Sequence, residues 1–262
     1  RSRRIIKMAE ISGLEITLFT AVLLFLAAFV AGYIDTLVGG GGLITIPALL
    51  AVGVPPLMAL GTNKLQAVGG SGTSTITLLM RKQYRIQDIA WLIVSAFVGS
   101  VIGTIIIQFV DAKHLEFLIP CVIVVIALYF TFSPKASTVH REPRISRKTY
   151  GLTAVPLIGS YDGMLGPGTG SFFVLAGTSL RGQDIVTATK HAKPLNFATN
   201  LASLIVFIWY AKVIWAIGGL MWVGQFLGAR MGSNKLMTVD PSILRYLVLV
   251  LCGVMLVSLY WR

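Results

Sequence analysis

Long apolar segments separated by short polar breaks recur along the whole chain. They occupy residues 16–34, 58–80, 89–110, 115–132, 185–210, 213–227 and 243–261. About 20 apolar residues in a helix are enough to cross the roughly 30 Å hydrocarbon core of a membrane. The pattern therefore predicts an all-α, polytopic membrane protein.

Two shorter apolar segments interrupt this regularity, at residues 43–52 and 171–180. Each follows a cluster of glycines, and at about 1.5 Å per residue each covers only about half of the hydrocarbon core. Backbone that is interrupted at this depth must be covered by protein or line a water-filled cavity. The segment at residues 150–165 is also short for a full crossing. The sequence thus predicts broken helices inside the membrane.

The same order of motifs occurs in both halves of the chain. The matching positions, at one constant spacing, are Asp35 and Asp162, Gly39 and Gly166, and Thr62 and Thr189. Interrupted apolar segments at corresponding places in two halves are typical of secondary transporters. We therefore divide the chain into a first transmembrane repeat at residues 1–132, a basic cytoplasmic linker at 133–148 and a second transmembrane repeat at 149–262.

Two topologies fit this division. If the short segments only dip into the membrane, the halves are parallel; if they cross it, each half has five segments and the halves are inverted. In the five-segment arrangement the basic loops at 81–85, 133–148 and 230–235 share one face, as the positive-inside rule requires. The basic start contradicts this rule. Because the chain opens with arginine and Met8 follows, we expect residues 1–7 to be foreign to the natural chain, and we favour inverted repeats.

Composition narrows the class of protein further. Hydrophobic residues make up 55% of the chain and charged residues 12%, with a net charge of +12. The positive charge is concentrated in loops beside the apolar segments, so the expected partner is the lipid bilayer and not nucleic acid. Cys121 and Cys252 lie in apolar runs, and His114, His140 and His191 are scattered. We therefore expect no metal, no cofactor and no nucleophile–base set.

A polar stripe follows the break in each half. Its members recur at helical spacing and are Thr62, Gln66, Gly69 and Thr73 in the first half, and Thr189, Lys193, Asn196 and Asn200 in the second. Such stripes face a cavity or the interior of a helix bundle, where they can also serve only to hold helices together. Lys64 and Lys190 lie off the stripe, and we expect them to extend toward the membrane surface.

The glycine clusters give a further reason to expect an anion-binding site. Amides at a helix start attract negative charge, and the positive end of the helix dipole strengthens this attraction. Two helix starts and a buried lysine together predict a site for a small anionic substrate. The predicted substrate-binding residues are Gly41, Gly42, Thr62, Asn63, Gln66, Gly168, Gly170, Lys193, Asn196 and Asn200.

Three residues are candidates for proton coupling, namely His191, Asp35 and Asp162. Histidine titrates near neutral pH, which suits a proton carrier. Each aspartate can instead cap the turn that follows it.

Small-xxx-small motifs at residues 99–103 and 224–228 allow close helix packing. The packing can lie within one protomer or between the protomers of a homodimer, and both arrangements stay open. Gln225, Arg230 and Asn234 follow or lie within the second motif, and we interpret them as interfacial.

These motifs carry a resemblance to a known family. They are Gly32-Tyr-Ile-Asp35 through Gly42-Leu-Ile-Thr-Ile-Pro47, Gly61-Thr-Asn-Lys64-Leu-Gln66, Tyr161-Asp162-Gly-Met-Leu-Gly166-Pro167, Thr189-Lys-His-Ala-Lys193 and Gly224-Gln-Phe-Leu-Gly228-Ala-Arg230-Met-Gly232. Nearly the whole chain resembles the sulfite exporter TauE/SafE family, also called toluene sulfonate uptake permeases. The resemblance implies transport of small sulfur-containing or organic anions, such as sulfite, sulfonates or sulfoacetate, across the bacterial inner membrane. It also implies coupling to an ion gradient.

Two other functions compete with a carrier. A passive anion channel would need a continuous wet pore, whereas paired broken helices suit alternating access. A membrane-embedded enzyme would need a catalytic set that the sequence does not supply. We therefore expect a secondary transporter.

Overall fold

The structure, a computed structural model, describes residues 7–11, 14–37, 39–132 and 142–235. Its helices are α1 (Leu18–Leu37), α2 (Gly42–Ala51), α3 (Pro56–Met80), α4 (Ile86–Ile107), α5 (Ala112–Phe132), α6 (Arg147–Leu152), α7 (Ala154–Met164), α8 (Thr169–Arg181), α9 (Ile185–Trp209) and α10 (Trp215–Lys235). An antiparallel hairpin of β1 (Lys7–Ile11) and β2 (Leu14–Thr17) precedes α1. The predicted segment at residues 243–261 lies outside the described residues.

Local sequence signals explain where several helices begin and end. Pro56 is the first residue of α3, a position where its missing N–H costs nothing. Asp184 caps α9 by accepting hydrogen bonds from the backbone N–H groups of Thr187 and Val186. These bonds hold the pKa of the Asp184 carboxyl below its usual value. The helices observed in the structure confirm the all-α fold that the apolar pattern predicts.

The short opening of the second half is one place where the expectation needs correction. A single segment was predicted at residues 150–165, but Thr153 divides it into α6 and α7. The backbone at Thr153 has φ −123° and ψ −77°, which interrupts the helix. The helix that precedes the second break is therefore α7, which has only 11 residues.

Apolar side chains cover the outside of the helix bundle. Phe19, Met80, Phe109 and Trp209 are between 77% and 87% exposed, whereas asparagine, glutamine, serine and lysine side chains are buried inside. This polarity is the reverse of a water-soluble protein and fits a lipid environment. By length and mean hydropathy, α1 and α4 are the two described helices that meet a simple criterion for a membrane span. The longer α3 and α9 fall below it because they carry the buried polar residues.

The helix before each break packs against a long helix of the other half, α1 against α10 and α7 against α4. Along α10, Gly224, Gly228 and Gly232 contact the backbone of Phe25, Phe29 and Tyr33 on α1. Along α4, Gly99 and Gly103 contact the backbone of Pro156 and Ser160 on α7 in the same manner. Both small-xxx-small motifs are therefore used within the protomer.

These contacts also fix the directions of the helices. Residue numbers rise together along α1 and α10, and along α4 and α7, so each pair is parallel. Leu65 lies against Gly218 and Gly69 against Trp222, so α3 is parallel to α10. Short turns at residues 81–85 and 210–214 reverse the chain. It follows that α1 runs opposite to its counterpart α7, and α3 opposite to α9. These directions agree with the inverted arrangement, which stays a prediction.

The α1–α10 contact predicts a sharp difference between two glycines of one helix. A Cβ atom at Gly228 would overlap the carbonyl oxygen of Phe29, whereas a Cβ atom at Gly219 would meet nothing within 4 Å. Gly228→Ala should therefore lower the yield of folded protein and its melting temperature in detergent. Gly219→Ala should be tolerated, with a gain of about 0.5–1 kcal/mol from helix propensity. Equal melting temperatures for the two variants would contradict the close packing of α1 on α10.

Candidate functional site

The two glycine-rich breaks, one from each half, contact each other near the centre of the bundle. A Cβ atom on Gly39 would lie 2.7 Å from the carbonyl carbon of Gly170, and one on Gly42 would lie 3.3 Å from Cα of Pro167. Gly39 also has a φ of +86°, in the left-handed region that side chains disfavour. Glycine is therefore required at Gly39 for both the turn and the contact.

A small polar cavity lies where the breaks meet. Its walls are formed by Asp35, Gly39, Gly41, Gly42, Asn63, Gln66, Ala67, Asp162, Gly166, Gly168, Thr169, Gly170, Asn196, Asn200 and Gln225. Its volume is about 20 Å³. That is room for about one water molecule or a monatomic ion. A larger anion needs the walls to separate before it can bind.

Most of the predicted substrate-binding residues meet at this cavity. Those that line it are Gly41, Gly42, Asn63, Gln66, Gly168, Gly170, Asn196 and Asn200, together with the predicted proton-coupling residues Asp35 and Asp162. Thr62, Lys193 and His191 are not among the lining residues.

Four helix ends converge on the cavity. The half-helices α2 and α8 begin there, at Gly42 and Thr169, and the helices α1 and α7 end there, at Leu37 and Met164. The dipole of a helix places about +0.5 elementary charge at its N-terminus and about −0.5 at its C-terminus. The site therefore offers positive ends to an anion and negative ends to a cation.

The end of α7 is held by a buried ion pair. Nζ of Lys64 lies 2.9 Å from Oδ1 of Asp162, and their side chains are 1% and 2% exposed. The same ammonium donates a 2.5 Å hydrogen bond to the backbone carbonyl of Asp162. Thr169 donates to Oδ1 as well, at 2.8 Å. The expectation that Lys64 extends to the membrane surface is therefore wrong, because its ammonium is bound inside the protein.

The end of α1 is held in the reciprocal way. Lys193, on α9, donates a 2.6 Å hydrogen bond to the backbone carbonyl of Asp35. The Asp35 carboxylate accepts a 3.0 Å hydrogen bond from the backbone N–H of Gly41, so it caps the turn that follows. Each half thus supplies a lysine that binds the broken helix of the other half. Lys193 holds a wall of the cavity and does not line it.

Amide side chains join the broken segments to the long helices. Oδ1 of Asn63 accepts from the hydroxyl of Thr45 on α2 at 2.5 Å, and from Nε2 of Gln66 at 2.7 Å. Nδ2 of Asn200 donates to the backbone carbonyl of Asn196 at 2.7 Å. Asn63 and Gln66 therefore connect α2 to α3 at the cavity wall.

Two predicted site residues have contacts elsewhere. The hydroxyl of Thr62 accepts a 3.1 Å hydrogen bond from the backbone N–H of Ile214, just before α10 begins. Nδ1 of His191 lies 3.0 Å from Nε2 of Gln183 in the turn between α8 and α9. Thr62 therefore connects helices, and His191 lies on the periphery of the site.

Five residues that line the cavity were not among the predicted site residues, namely Gly39, Ala67, Gly166, Thr169 and Gln225. Of these, Gln225 had been assigned a different role. It was expected to be interfacial, but it is 1% exposed and lines the cavity. A signal was present, because a polar residue follows the first glycine of the small-xxx-small motif in both halves. Its counterpart, Ser100, is also buried and donates to the backbone carbonyl of Thr199 at 2.7 Å.

Comparison with known proteins gives this arrangement its family. The sequence profile described as "Sulfite exporter TauE/SafE" matches residues 24–259. This chain belongs to the sulfite exporter TauE/SafE family. The match covers both breaks and both polar stripes, and it confirms the resemblance seen in the motifs.

Relatives of this TauE/SafE protein are described as membrane transporters. "Probable membrane transporter protein YfcA" of Escherichia coli K12 is 43% identical over 238 residues, which are 91% of this chain and 88% of the relative. A "Probable membrane transporter protein" of Haemophilus influenzae is 40% identical over 242 residues, 92% of this chain and 95% of the relative. No solved structure matches the chain significantly. The TauE/SafE protein is therefore a membrane protein of a transporter family.

The ion pair between Lys64 and Asp162 predicts that the effects of substituting these two residues on protein stability are not additive. Lys64→Met leaves the Asp162 carboxylate buried without its counter-charge, and removing one partner of such a pair costs about 3–5 kcal/mol. Combining Lys64→Met with Asp162→Asn removes that charge and should restore part of the melting temperature in detergent. A double variant no more stable than Lys64→Met would contradict the pairing. Lys113→Met, on the exposed start of α5, is the control for loss of a lysine.

Proposed function

We propose that this protein is a secondary transporter of small sulfur-containing or organic anions, such as sulfite, sulfonates or sulfoacetate. It lies in the bacterial inner membrane as a multi-pass protein of two inverted repeats, and an ion gradient drives it. The observation that carries this proposal is the convergence of two half-helix N-termini, of α2 and α8, on one cavity lined by amide side chains.

The chemistry of the walls suits an oxyanion. The first backbone N–H groups of a helix have no acceptor within the helix, and they attract negative charge. Gly42 and Gly170, at the two helix starts, both line the cavity and carry no side chain that would cover their backbone. Asn63, Asn196 and Asn200 add side-chain amides that can donate hydrogen bonds to the several oxygens of a sulfite or sulfonate group.

The size of the cavity favours a carrier over a channel. A passive channel needs a continuous wet pore, whereas this cavity has a volume of only about 20 Å³. Admitting a larger anion requires movement of the broken segments, as in transporters that work by alternating access. A transporter is better supported than an enzyme, because the relatives are described as membrane transporters.

The ion gradient is proposed to act through the two carboxylates in the cavity wall. Asp35 and Asp162 lie in the last turns of α1 and α7, next to the proposed anion site. His191 is proposed to set the pH dependence from the periphery. The charged groups that act on its ring are Asp88 on α4, Arg147 on α6, and Asp184 and Lys190 at the start of α9.

Exchange of labelled anion in proteoliposomes tests the carrier function. We expect radiolabelled sulfite or sulfoacetate to show counterflow, without conductance and without chemical conversion. Asn200→Ala should reduce counterflow by at least about tenfold, since an amide donor to a charged group is worth about 1.5–3 kcal/mol. Thr189→Ala is the matched control, because Thr189 lies on the same stripe but is not among the residues that line the cavity. Conductance without counterflow would contradict a carrier.

A second measurement tests the role of His191. Glutamine at this position preserves a hydrogen-bonding group toward Gln183 but cannot titrate. His191→Gln should retain transport and lose its pH dependence between about pH 5 and 8, the range in which histidine normally titrates. A pH profile identical to that of the parent protein would place the titrating group elsewhere, with Asp35 and Asp162 as the remaining candidates.

A further inference from the structure

Three buried side-chain oxygens at the cavity have no hydrogen-bond donor among the described residues. They are Oε1 of Gln66, Oδ2 of Asp162 and Oε1 of Gln225, which come from α3, α7 and α10. All three residues line the cavity and each is 1% exposed. Buried acceptors without a donor are rare in folded proteins and call for an explanation. Because all three are acceptors, they fit a positively charged ligand.

The neighbouring hydrogen bonds explain why these oxygens remain available. Nε2 of Gln66 donates to Asn63 and to Thr45, so its Oε1 is turned away from that network. Oδ1 of Asp162 already accepts from Lys64 and Thr169, so Oδ2 is the oxygen left over. The lysines occupy the backbone carbonyls of Asp162 and Asp35 at the helix ends. A cation that enters the cavity therefore meets side-chain oxygens.

The charge of the site leads to the same conclusion. Two aspartates, Asp35 and Asp162, are balanced by two buried lysines, Lys64 and Lys193. The two helix N-termini contribute about +0.5 each and the two C-termini about −0.5 each, which also cancel. Either ion alone would thus bring an uncompensated charge into a buried site, which is strongly unfavourable. A cation bound beside the anion removes that excess charge.

We propose that the cavity binds a monovalent cation of the size of sodium, coordinated by Asp162 Oδ2 and the amide oxygens of Gln66 and Gln225. Carboxylate and amide oxygens are preferred ligands of hard cations, and a cavity of about 20 Å³ has room for a monatomic ion. A proton bound to Oδ2 of Asp162 could be donated to only one of the two amide oxygens, so the other amide oxygen would still lack a partner. A divalent ion is disfavoured, because only one carboxylate oxygen is free among these three ligands.

This inference rests on the proposed function and deepens it, since it names the ion whose gradient drives the anion. The binding test measures sodium itself and requires no transport of an anion, and sulfite is kept at one constant concentration so that the site can stay neutral. Purified protein in detergent is titrated with radioactive sodium in a scintillation proximity assay, with choline holding the ionic strength constant. We expect saturable binding that Gln225→Leu weakens by at least about tenfold, as expected when a charged group loses a polar partner.

Gln108→Leu is the matched control. Its Oε1 is also buried without a donor among the described residues, but Gln108 is not among the residues that line the cavity. It should bind sodium as the parent protein does. Asp162→Asn should abolish sodium binding, and if this variant fails to fold, Gln225→Leu still tests the site.

Sulfite counterflow measured in sodium, potassium and choline separates the remaining outcomes. Stimulation by sodium that Gln225→Leu removes supports the cation site. Equal counterflow in all three salts would overturn the cation site but would still support the transporter function. Saturable sodium binding without exchange of any anion supports the site and contradicts the proposed function. No saturable sodium binding, with Gln225→Leu equal to Gln108→Leu, would mean that only ordered water satisfies these oxygens, and would overturn the inference.

Discussion

Helix ends buried at membrane depth are the constraint on which this structure depends. Each end leaves backbone groups without intrahelical partners, and the hydrocarbon region offers no water to satisfy them. The protein meets this constraint with two lysines, Lys64 at the end of α7 and Lys193 at the end of α1. Each lysine belongs to a long helix of the opposite half. The same bonds that satisfy the helix ends therefore hold the two halves together.

Binding to the helix ends explains how two lysines can be buried inside the protein, where a lysine side chain is normally unfavourable. A lysine at the centre of a span costs about 2.5–3.5 kcal/mol on insertion scales. Here each ammonium lies at the negative end of a helix dipole, and Lys64 also has the Asp162 carboxylate. Gly39 and Gly170 bring the two breaks into direct contact beside them. A small polar core, surrounded by apolar surface, is the result.

The helices and both breaks were predictable from the sequence, because they follow from local periodicity and from a motif that occurs twice. The cavity residues Asn196 and Asn200 were predictable for the same reason, since they continue a stripe at helical spacing. Gln225 had only an indirect signal, its place in the small-xxx-small motif, and the partner of Lys64 had none, because both depend on contacts between residues far apart in the chain. Nothing near Lys64 in the sequence indicates that Asp162 lies beside it. The interruption at Thr153 also lacked a local signal such as a glycine cluster.

The packing of α1 against α10 has a consequence for the synthesis of the protein. Among the described elements, α10 is the most extensive partner of α1, yet it is the last described helix to leave the ribosome. Domains and helices that emerge early can pack only against what has already been made. The first helix therefore waits in the membrane, with the end at Asp35 unbound by Lys193, until the second half has been inserted. Insertion machinery that shields the nascent chain would have its main task during that interval.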